Sequence, residues 1–430
     1  MSSTPQPVRG TQSLLGEDAD RFHAVVAAFD RVRRLFGFRR VEVPILEHTG
    51  VFARTIGETT DVVSKEMYSF DDRSGDSITL RPELTAGICR AYLSEGWQQH
   101  APLKVASWGP AFRYERPQKG RFRQFHQLDA EIIGAGEAQA DVEIISFGSQ
   151  LLMELGIDGV SLKLNTLGDA ESRDAWRRQL IAHFSDADIS PESRERLHKN
   201  PLRVLDSKDP RDQAAVAGAP AMQLTSEAED FFGKVRAGLD AAGVAYALDP
   251  HLVRGLDYYR HTAFEFVTDR LGAQGAVIAG GRYDGLIESL GGPHTPAIGW
   301  AAGIERLSML MEHPGVEIID AAVIPLGEAA EAKAIEVLTL LRNHQINSDM
   351  AFRGNMKKRL QRASSAGARF AVLIGDDELT RGEASVKNLQ SGEQVNVQFS
   401  EIGSYLASEK WPLLKGKPDG SGFIGNMSPE

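Results

Sequence analysis

The segment RYERPQKGRFR, residues 113–123, carries Arg113, Arg116, Lys119, Arg121 and Arg123 against one acid, Glu115. So many cations on so short a stretch create a strong local positive field. Arginine forks bind phosphate oxygens bidentately, so a phosphate-bearing ligand is the natural match. Phe122 and Phe125 add aromatic faces on which a purine can stack. A solvated charged loop is the competing explanation; Pro117 and Gly120, which shape the loop, and the aromatics weigh against it. Just beyond, Gln127, Asp129 and Glu131 alternate along a strand-like stretch and so share one face. Three polar groups on one face suit a polar small-molecule pocket, and a solvent-facing strand explains them equally well in isolation.

Three further clusters have chemical potential. Arg81-Pro82-Glu83-Leu84-Thr85 sets a carboxylate and a hydroxyl at a strand-to-helix turn. Glu83 either favours a helix start or binds an amine. LVRGLDYYRHTAFEF (252–266) packs Arg254, Asp257, Tyr258 and Tyr259 before a strand. A local Arg254–Asp257 ion pair with core tyrosines is the plainer account. AGGRYDG (279–285) reads as a glycine-rich turn whose glycines allow close backbone approach to a ligand, with Tyr283 beside it.

Other chemistries find little support. The 11 histidines form no HExxH or other close metal-ligand pair, and neither a GxxxxGK[ST] phosphate loop nor a GxSxG elbow occurs. The single cysteine, Cys89, lies in the apolar run GICRAYL and reads as a buried small hydrophobe. One cysteine excludes an intrachain disulfide and a cysteine zinc site.

The elements that must position these groups follow from pattern. Phe22, Val25, Val26, Phe29, Val32 and Phe36 recur at helical spacing over 17–36. Arg40–Pro44 alternates like a strand. Residues 77–93 pass from strand to helix after Pro82, and 103–112 and 124–133 form an antiparallel hairpin around the basic loop. Helices are predicted at 138–155, 171–184, 225–242 and 303–312, and strands at 262–268 and 296–300. At 430 residues the chain is long enough for two or three domains. Hydrophobic residues at 42% and charged ones at 25% match a soluble globular protein. No apolar run of about 18 residues exists to span a membrane, and MSSTPQPVRG lacks a secretory core, so a cytoplasmic location is expected.

The texture changes near 320. AAVIPLG (321–327), a helix at 329–344, a basic segment at 353–366, FAVLIG (370–375) and the pair 383–388 and 393–399 alternate as a small α/β domain. Within it RGNMKKRLQR (353–362) holds Arg353, Lys357, Lys358, Arg359 and Arg362 and no acid. A solvated helix face is the alternative to nucleic-acid contact there. The Gly-, Pro- and Lys-rich tail from about 415 is expected to be mobile. Net charge is −11, from 48 Lys+Arg and 59 Asp+Glu. That argues globally against a nucleic-acid partner, while the two acid-poor segments argue for one locally.

Together these segments resemble histidyl-tRNA synthetase, a class II aminoacyl-tRNA synthetase, from about Val8 to Phe399. FGFRRVEVPILE (36–47) resembles motif 1, WGPAFRYERPQKGRFRQFHQLDAEIIG (108–134) motif 2 and AIGWAAGIERL (297–307) motif 3. LVRGLDYY (252–259) and AGGRYDG resemble the two signatures peculiar to the histidyl enzyme. The resemblance implies an α+β fold. Its catalytic domain, 1–320, has a six-stranded antiparallel sheet flanked by helices and a helical insertion at about 170–222. A C-terminal α/β anticodon-binding domain, 321–430, follows, and a homodimer forms through motif 1.

It also implies ligation of histidine to its tRNA through histidyl-adenylate, with Mg-ATP as substrate, no tightly bound protein metal and no membrane partner. Arg113 and Arg254 then serve catalysis at the α-phosphate. Arg113, Glu115, Arg121, Phe125 and Arg306 would bind ATP. Glu83, Thr85, Gln127, Glu131, Tyr258, Tyr259 and Tyr283 would bind histidine. Arg116, Gln118, Arg123, Lys357 and Lys358 would meet tRNA. A non-catalytic relative, the regulatory subunit of ATP phosphoribosyltransferase, is the alternative; it typically lacks the anticodon domain and degrades the LVRGLDYY segment, both intact here. Asp129 lies where the family varies, and no role is drawn for it.

Overall fold

The computed structural model describes residues 4–57, 60–199, 201–205, 207–250, 252, 259–272, 275–312 and 319–410. The chain divides into two compact units, residues 1–315 and 316–430. Among the described residues no helix is long and apolar enough to cross a membrane.

The first unit contains, in chain order, strands β1 (Arg39–Arg40), β2 (Leu46–His48), β3 (Tyr68–Asp71), β4 (Ser77–Leu80), β5 (Leu103–Phe112) and β6 (Gln124–Ile133). β7 (Ser161–Thr166), β8 (Ala247–Leu248), β9 (Arg260–Val267), β10 (Ala276–Arg282) and β11 (Ala297–Gly303) follow. Its main sheet has the order β1-β5-β6-β11-β10-β9-β7-β8. The six inner strands are antiparallel throughout; β1 and β8 are two-residue edges added in parallel. β2, β4 and β3 form a separate small sheet.

The hairpin β5–β6 has the predicted bounds, ten residues on each side of the basic loop. Leu128, Ala130 and Ile132 face the core, and Gln127, Asp129 and Glu131 face the other way. The helix Glu17–Leu35 buries Val25, Val26, Phe29 and Val32, and starts with Glu17, Asp18 and Asp20 and ends with Arg33 and Arg34, which suits its dipole. Phe29 stacks on Phe147 and meets Trp300 edge-on, tying this helix to Ala138–Glu154 and β11.

Two local expectations change. The motif 1 segment pairs with β5 only at Arg39–Arg40; Val41 N still donates to Ala106 O, and beyond it the strand predicted through Pro44 gives way to bonds with Arg81, which donates to Val43 O and Ile45 O. The paired glycines of AGGRYDG, Gly280 and Gly281, lie inside β10, not in a turn. A Cβ on Gly280 would sit 2.2 Å from Gly299 O, and one on Gly281 would sit 2.9 Å from the Tyr259 ring. Close packing between neighbouring strands is what requires them. Arg282 and Asp284 of the same segment are structural. Arg282, buried, pairs with buried Asp141 at 2.7 Å and with Asp284 at 3.1 Å, and donates to Ala135 O at 3.0 Å. Burial pushes the Asp141 carboxyl up, and the Arg282 charge opposes it.

The helices Ala170–Ser185, Pro191–Lys199, Leu202–Leu205 and Gln213–Ala217 gather around a core of their own that includes Trp176, Leu180, Phe184 and Leu197. The two ends of this segment meet. Asp169 caps the first helix by accepting from Ser172 N at 2.8 Å, and it also accepts from Thr225 Oγ1. Thr225 caps the helix Ser226–Ala241, and its N–H donates to Ser172 Oγ at 2.9 Å. Near the segment's far end, buried Asp212 accepts from Ser190 N–H and from the hydroxyls of Ser190, Ser193 and Ser207.

The second unit adds β12 (Ala321–Pro325), β13 (Ser348–Met350), β14 (Phe370–Ile374), β15 (Glu383–Asn388) and β16 (Gln394–Gln398), ordered β13-β12-β14-β15-β16. The first three are parallel and the last two join antiparallel. Val337, Leu338 and Leu341 of the helix Glu328–Asn343 share the core with Ile402 and Leu406 of Ile402–Lys410. The basic segment forms the helix Met356–Ser365. The expected mobile tail lies outside the described residues.

Candidate active site

The turn from β4 into the helix Thr85–Ser94 is held by Arg81. Its buried guanidinium donates to Pro110 O and to Val43 O, each at 2.8 Å, joining three segments. A Cβ on Gly109 would lie 2.3 Å from Arg81 Nη2, so a glycine is needed opposite. This clamp fixes Glu83, whose Oε1 accepts from Ala86 N at 2.9 Å at the helix start. Burial pushes the Glu83 carboxyl up, and the Ala86 N–H opposes that. Glu83 therefore both starts the helix and lines a cavity of about 460 Å³ on the face of the sheet.

At this end of the cavity Glu83, Thr85, Gln127, Glu131, Tyr259 and Tyr283 converge. The Tyr283 hydroxyl donates to Glu131 Oε2. Burial pushes the Glu131 carboxyl up to about 7, opposed by that hydroxyl. The same burial, with Glu131 beside it, pushes the Tyr283 phenol well up. Gln127 Oε1 is buried and finds no donor among the described residues. Tyr259 is positioned from the insertion, since Arg173 Nη1 donates to its carbonyl at 2.5 Å. Cys89 lies beneath, fully buried, its thiol pushed well up by burial, which makes it inert as a nucleophile.

The other end carries Arg113, Arg121 and Arg306 among Glu66, Glu115, Glu265 and Glu305. Arg113 donates to Pro82 O at 2.9 Å and lies 5.4 Å over the Phe125 ring. Glu115 pairs with Arg121 at 3.0 Å. Arg306 donates to Gly120 O at 3.2 Å and to Ala276 O at 2.9 Å, so the motif 3 helix holds the tip of the basic loop. Burial lowers the Arg306 pKa, and the neighbouring Arg121 charge adds to that. Glu305, one residue earlier, grips His126 through its N–H at 3.0 Å and its Nδ1 at 2.9 Å. Buried carboxyl groups beside tyrosines, continuous with three guanidinium groups, suit a zwitterionic amino acid meeting a polyphosphate.

All the predicted ATP residues, and the predicted histidine residues apart from Tyr258, line this one cavity. Arg254 and Tyr258 lie outside the described residues. Arg116 and Gln118 are exposed at the loop tip, away from the cavity wall. Arg123 is tied in: its guanidinium lies 3.7 Å from the Tyr114 ring centre, and its N–H donates to Gly10 O at 2.8 Å. Lys357 and Lys358 are exposed on the first turn of their helix. Sequence reasoning missed Glu66, Glu265 and Glu305 on the cavity wall. The signal for Glu265 was a lone acid between Phe264 and Phe266 on a strand.

The family described as histidyl-tRNA synthetase matches residues 10–307, and the anticodon binding domain matches 320–409. The chain is 60% identical over 382 residues to the histidine–tRNA ligase of Novosphingobium aromaticivorans, covering 87% of this chain and 91% of that one. It is 55% identical over 410 residues to that of Gluconacetobacter diazotrophicus, with 94% and 99% covered. Among solved structures, apo histidyl-tRNA synthetase of S. aureus aligns with a TM-score of 0.79 at 32% identity, over 94% of this chain and 100% of that one. A Bacillus halodurans protein titled as an ATP phosphoribosyltransferase regulatory subunit/histidyl-tRNA synthetase aligns at 0.65 and 21% identity over 87% and 99%, a likeness of fold alone.

Proposed function

The chain belongs to the histidyl-tRNA synthetase family and charges tRNA with histidine at the expense of ATP, and on that footing we propose that the cavity is where histidine and ATP condense to histidyl-adenylate. The carrying observation is one cavity whose wall brings Glu83, Gln127, Glu131, Tyr259 and Tyr283 together with Arg113, Arg121, Phe125 and Arg306. Glu83, Thr85 and Gln127 hold the α-ammonium and carboxylate of histidine, and the orphan Gln127 Oε1 supports that role. Glu131 and Tyr259 read the imidazole, with Tyr258 and Tyr283 beside them. A pocket that hydrogen-bonds the ring nitrogens rejects amino acids lacking them, because its buried groups would go unpaired.

Arg113 meets the α-phosphate, with Arg254 on its other side. Attack of the histidine carboxylate builds negative charge there, and fixed cations stabilise it. Adenine lies between Phe125 and Arg306, Glu115 accepts from its amino group, and Arg121 takes the γ-phosphate. Mg2+ enters with ATP as part of that substrate. The histidyl group then passes to the terminal adenosine of the tRNA. Arg116, Gln118 and Arg123 approach the acceptor end, and Lys357 and Lys358 the anticodon stem-loop. Lysines on a first helical turn that carries no acid oppose the helix dipole, which fits a cost accepted for RNA binding.

The protein works as a cytoplasmic homodimer joined through motif 1. Ile45 and Leu46 there are 41% and 48% exposed, which supports burial against a second copy. The deciding experiment is ATP–pyrophosphate exchange with each of the twenty amino acids. Only histidine should drive it; exchange with another amino acid, or with none, would refute the assignment of the pocket.

A further inference from the structure

Asp129 is the buried acid that the reaction above leaves without work. It is 0% exposed and sits below the cavity wall, next to Glu83 and Glu131, which are 4% and 1% exposed. Groups face it from every side. The turn and helix at 83–94 contribute Glu83, Thr85 and Cys89; its own strand contributes Gln127 and Glu131; β5 contributes Ser107 directly opposite; Tyr283 follows β10; and β11 places Ala301 across from it. Among the described residues Arg81 is a cation near it, and Arg113 acts on the neighbouring Glu83. The Arg81 guanidinium donates to the carbonyls of Pro110 and Val43.

Three carboxyl groups this close and this dry do not all ionise. Hydrogen bonds decide which stays neutral. Glu83 accepts from Ala86 N–H and Glu131 from the Tyr283 hydroxyl. Asp129 accepts only from Thr85 Oγ1, at a long 3.3 Å, and its Oδ1 meets no N–H or O–H donor among the described residues. Asp129 and Glu131 are two apart on the same face of β6 and both fully buried, so their carboxyl groups adjoin in the space closed by Thr85. Two carboxyl groups form such a contact only with a proton between them.

We propose that Asp129 is a positioning residue for histidine recognition, a neutral acid that donates to Glu131 and fixes that carboxylate against the imidazole of the ligand. Glu131 then receives two donors, Tyr283 and Asp129, and keeps its remaining lone pairs for the ring N–H. Burial supports this by pushing the Asp129 carboxyl well up, and the Glu131 charge adds to the effect. The pocket retains the charges of Glu83 and Glu131, which suits a ligand with an ammonium group and a polar ring.

The proposal rests on Glu131 reading the imidazole, so the test separates the two. The KM values for histidine and ATP are measured by pyrophosphate exchange for Asp129→Ala, Asp129→Asn and Glu131→Gln across the near-neutral to alkaline range. Histidine's own groups titrate identically in every assay, so the ratio to wild type carries the result. Asp129→Ala should raise the histidine KM about tenfold, the worth of one hydrogen bond to a charged group, and leave the ATP KM unchanged. Asp129→Asn, whose amide N–H replaces the acid O–H, should restore most of the affinity. It should also lack the alkaline rise in histidine KM that follows when wild-type Asp129 loses its proton. A normal histidine KM in Asp129→Ala, with Glu131→Gln impaired, overturns the proposal alone. A normal histidine KM in Glu131→Gln removes the imidazole assignment and the proposal with it. Should the alanine variant fail to fold, an alkaline limb retained by Asp129→Asn still overturns it.

Discussion

Gly299 stands directly across from Glu131 on the neighbouring strand, and a Cβ there would lie 1.5 Å from Glu131 Oε2. That oxygen is the one to which Tyr283 donates. The missing side chain on β11 is thus what allows a carboxylate of β6 to lie in the cavity wall. Gly299→Ala should displace Glu131, raise the histidine KM about tenfold or more through the lost hydrogen bond, and cost about 1–3 kcal/mol in overpacking. Exchange kinetics and a thermal melt check both, and wild-type values in the two would show that the carboxylate can sit elsewhere.

Arg113 is pinned by Pro82 O and by the Phe125 ring, so its charge is already in place before a phosphate arrives. Preorganised charge of this kind typically supplies about 100- to 1,000-fold in rate. Arg113→Ala should lower the kcat of histidine-dependent exchange by that order, more than it raises the histidine KM. A loss confined to the histidine KM would move Arg113 out of the phosphate site.

Arg306 donates to Gly120 O and Ala276 O, and the proposed function gives it the adenine face as well. Arg306→Lys keeps the charge and loses the fork. Both Arg306→Ala and Arg306→Lys should therefore raise the ATP KM by about tenfold. If lysine restores wild-type ATP affinity, the loop tip does not depend on the fork.

Lys357 and Lys358 project from the first turn of their helix. Replacing both with alanine should weaken tRNA charging and leave adenylate formation intact. The salt dependence of tRNA binding should also flatten, by about one in log–log slope for each phosphate that a lysine no longer neutralises. An unchanged slope would place these lysines away from the RNA.

Asp212 organises the inserted helices. Burial opposes its ionisation, but the hydroxyls of Ser193 and Ser207 and the N–H and hydroxyl of Ser190 outweigh it and hold the carboxyl at about 2. Its folded value lies below the unfolded one of about 3.9. The stabilisation is therefore present at neutral pH and is lost as pH falls through about 4 toward 2. Hydrogen exchange should show the segment 170–222 loosening in that window in wild type, and already loosened at neutral pH in Asp212→Ala. Equal protection in the variant would mean the apolar core around Trp176 suffices.

The helix Glu17–Leu35 could be read from sequence because its helical spacing runs unbroken, and the hairpin β5–β6 because two long apolar-rich runs flank one polar, basic loop. β7 escaped, although Leu162 and Leu164 are buried between more exposed neighbours, because six residues give little pattern. Gly280 and Gly281 looked like a turn because glycine announces close approach without saying what approaches; the answer, Gly299 O and the Tyr259 ring, comes from strands distant in sequence. The same limit hid Asp129. Its alternation with Glu131 was visible, but its environment depends on Glu83 and Thr85 arriving from another segment. Arg282 and Asp284 came with a functional signature and proved to hold the sheet to Asp141 and Ala297 N.

The meeting of Asp169, Ser172 and Thr225 has a bearing on how this fold tolerates change. The chain leaves the sheet unit and returns to it through adjacent residues, so the closure is independent of the number of residues enclosed. Segments can be lost, gained or exchanged beyond that clasp without shifting the register of β7 or β9, because lengthening a closed loop carries only a small entropic penalty. Histidine recognition and whatever the insertion touches can thus diverge separately, with Arg173 and its bond to the Tyr259 carbonyl as a point where a change in one is felt by the other.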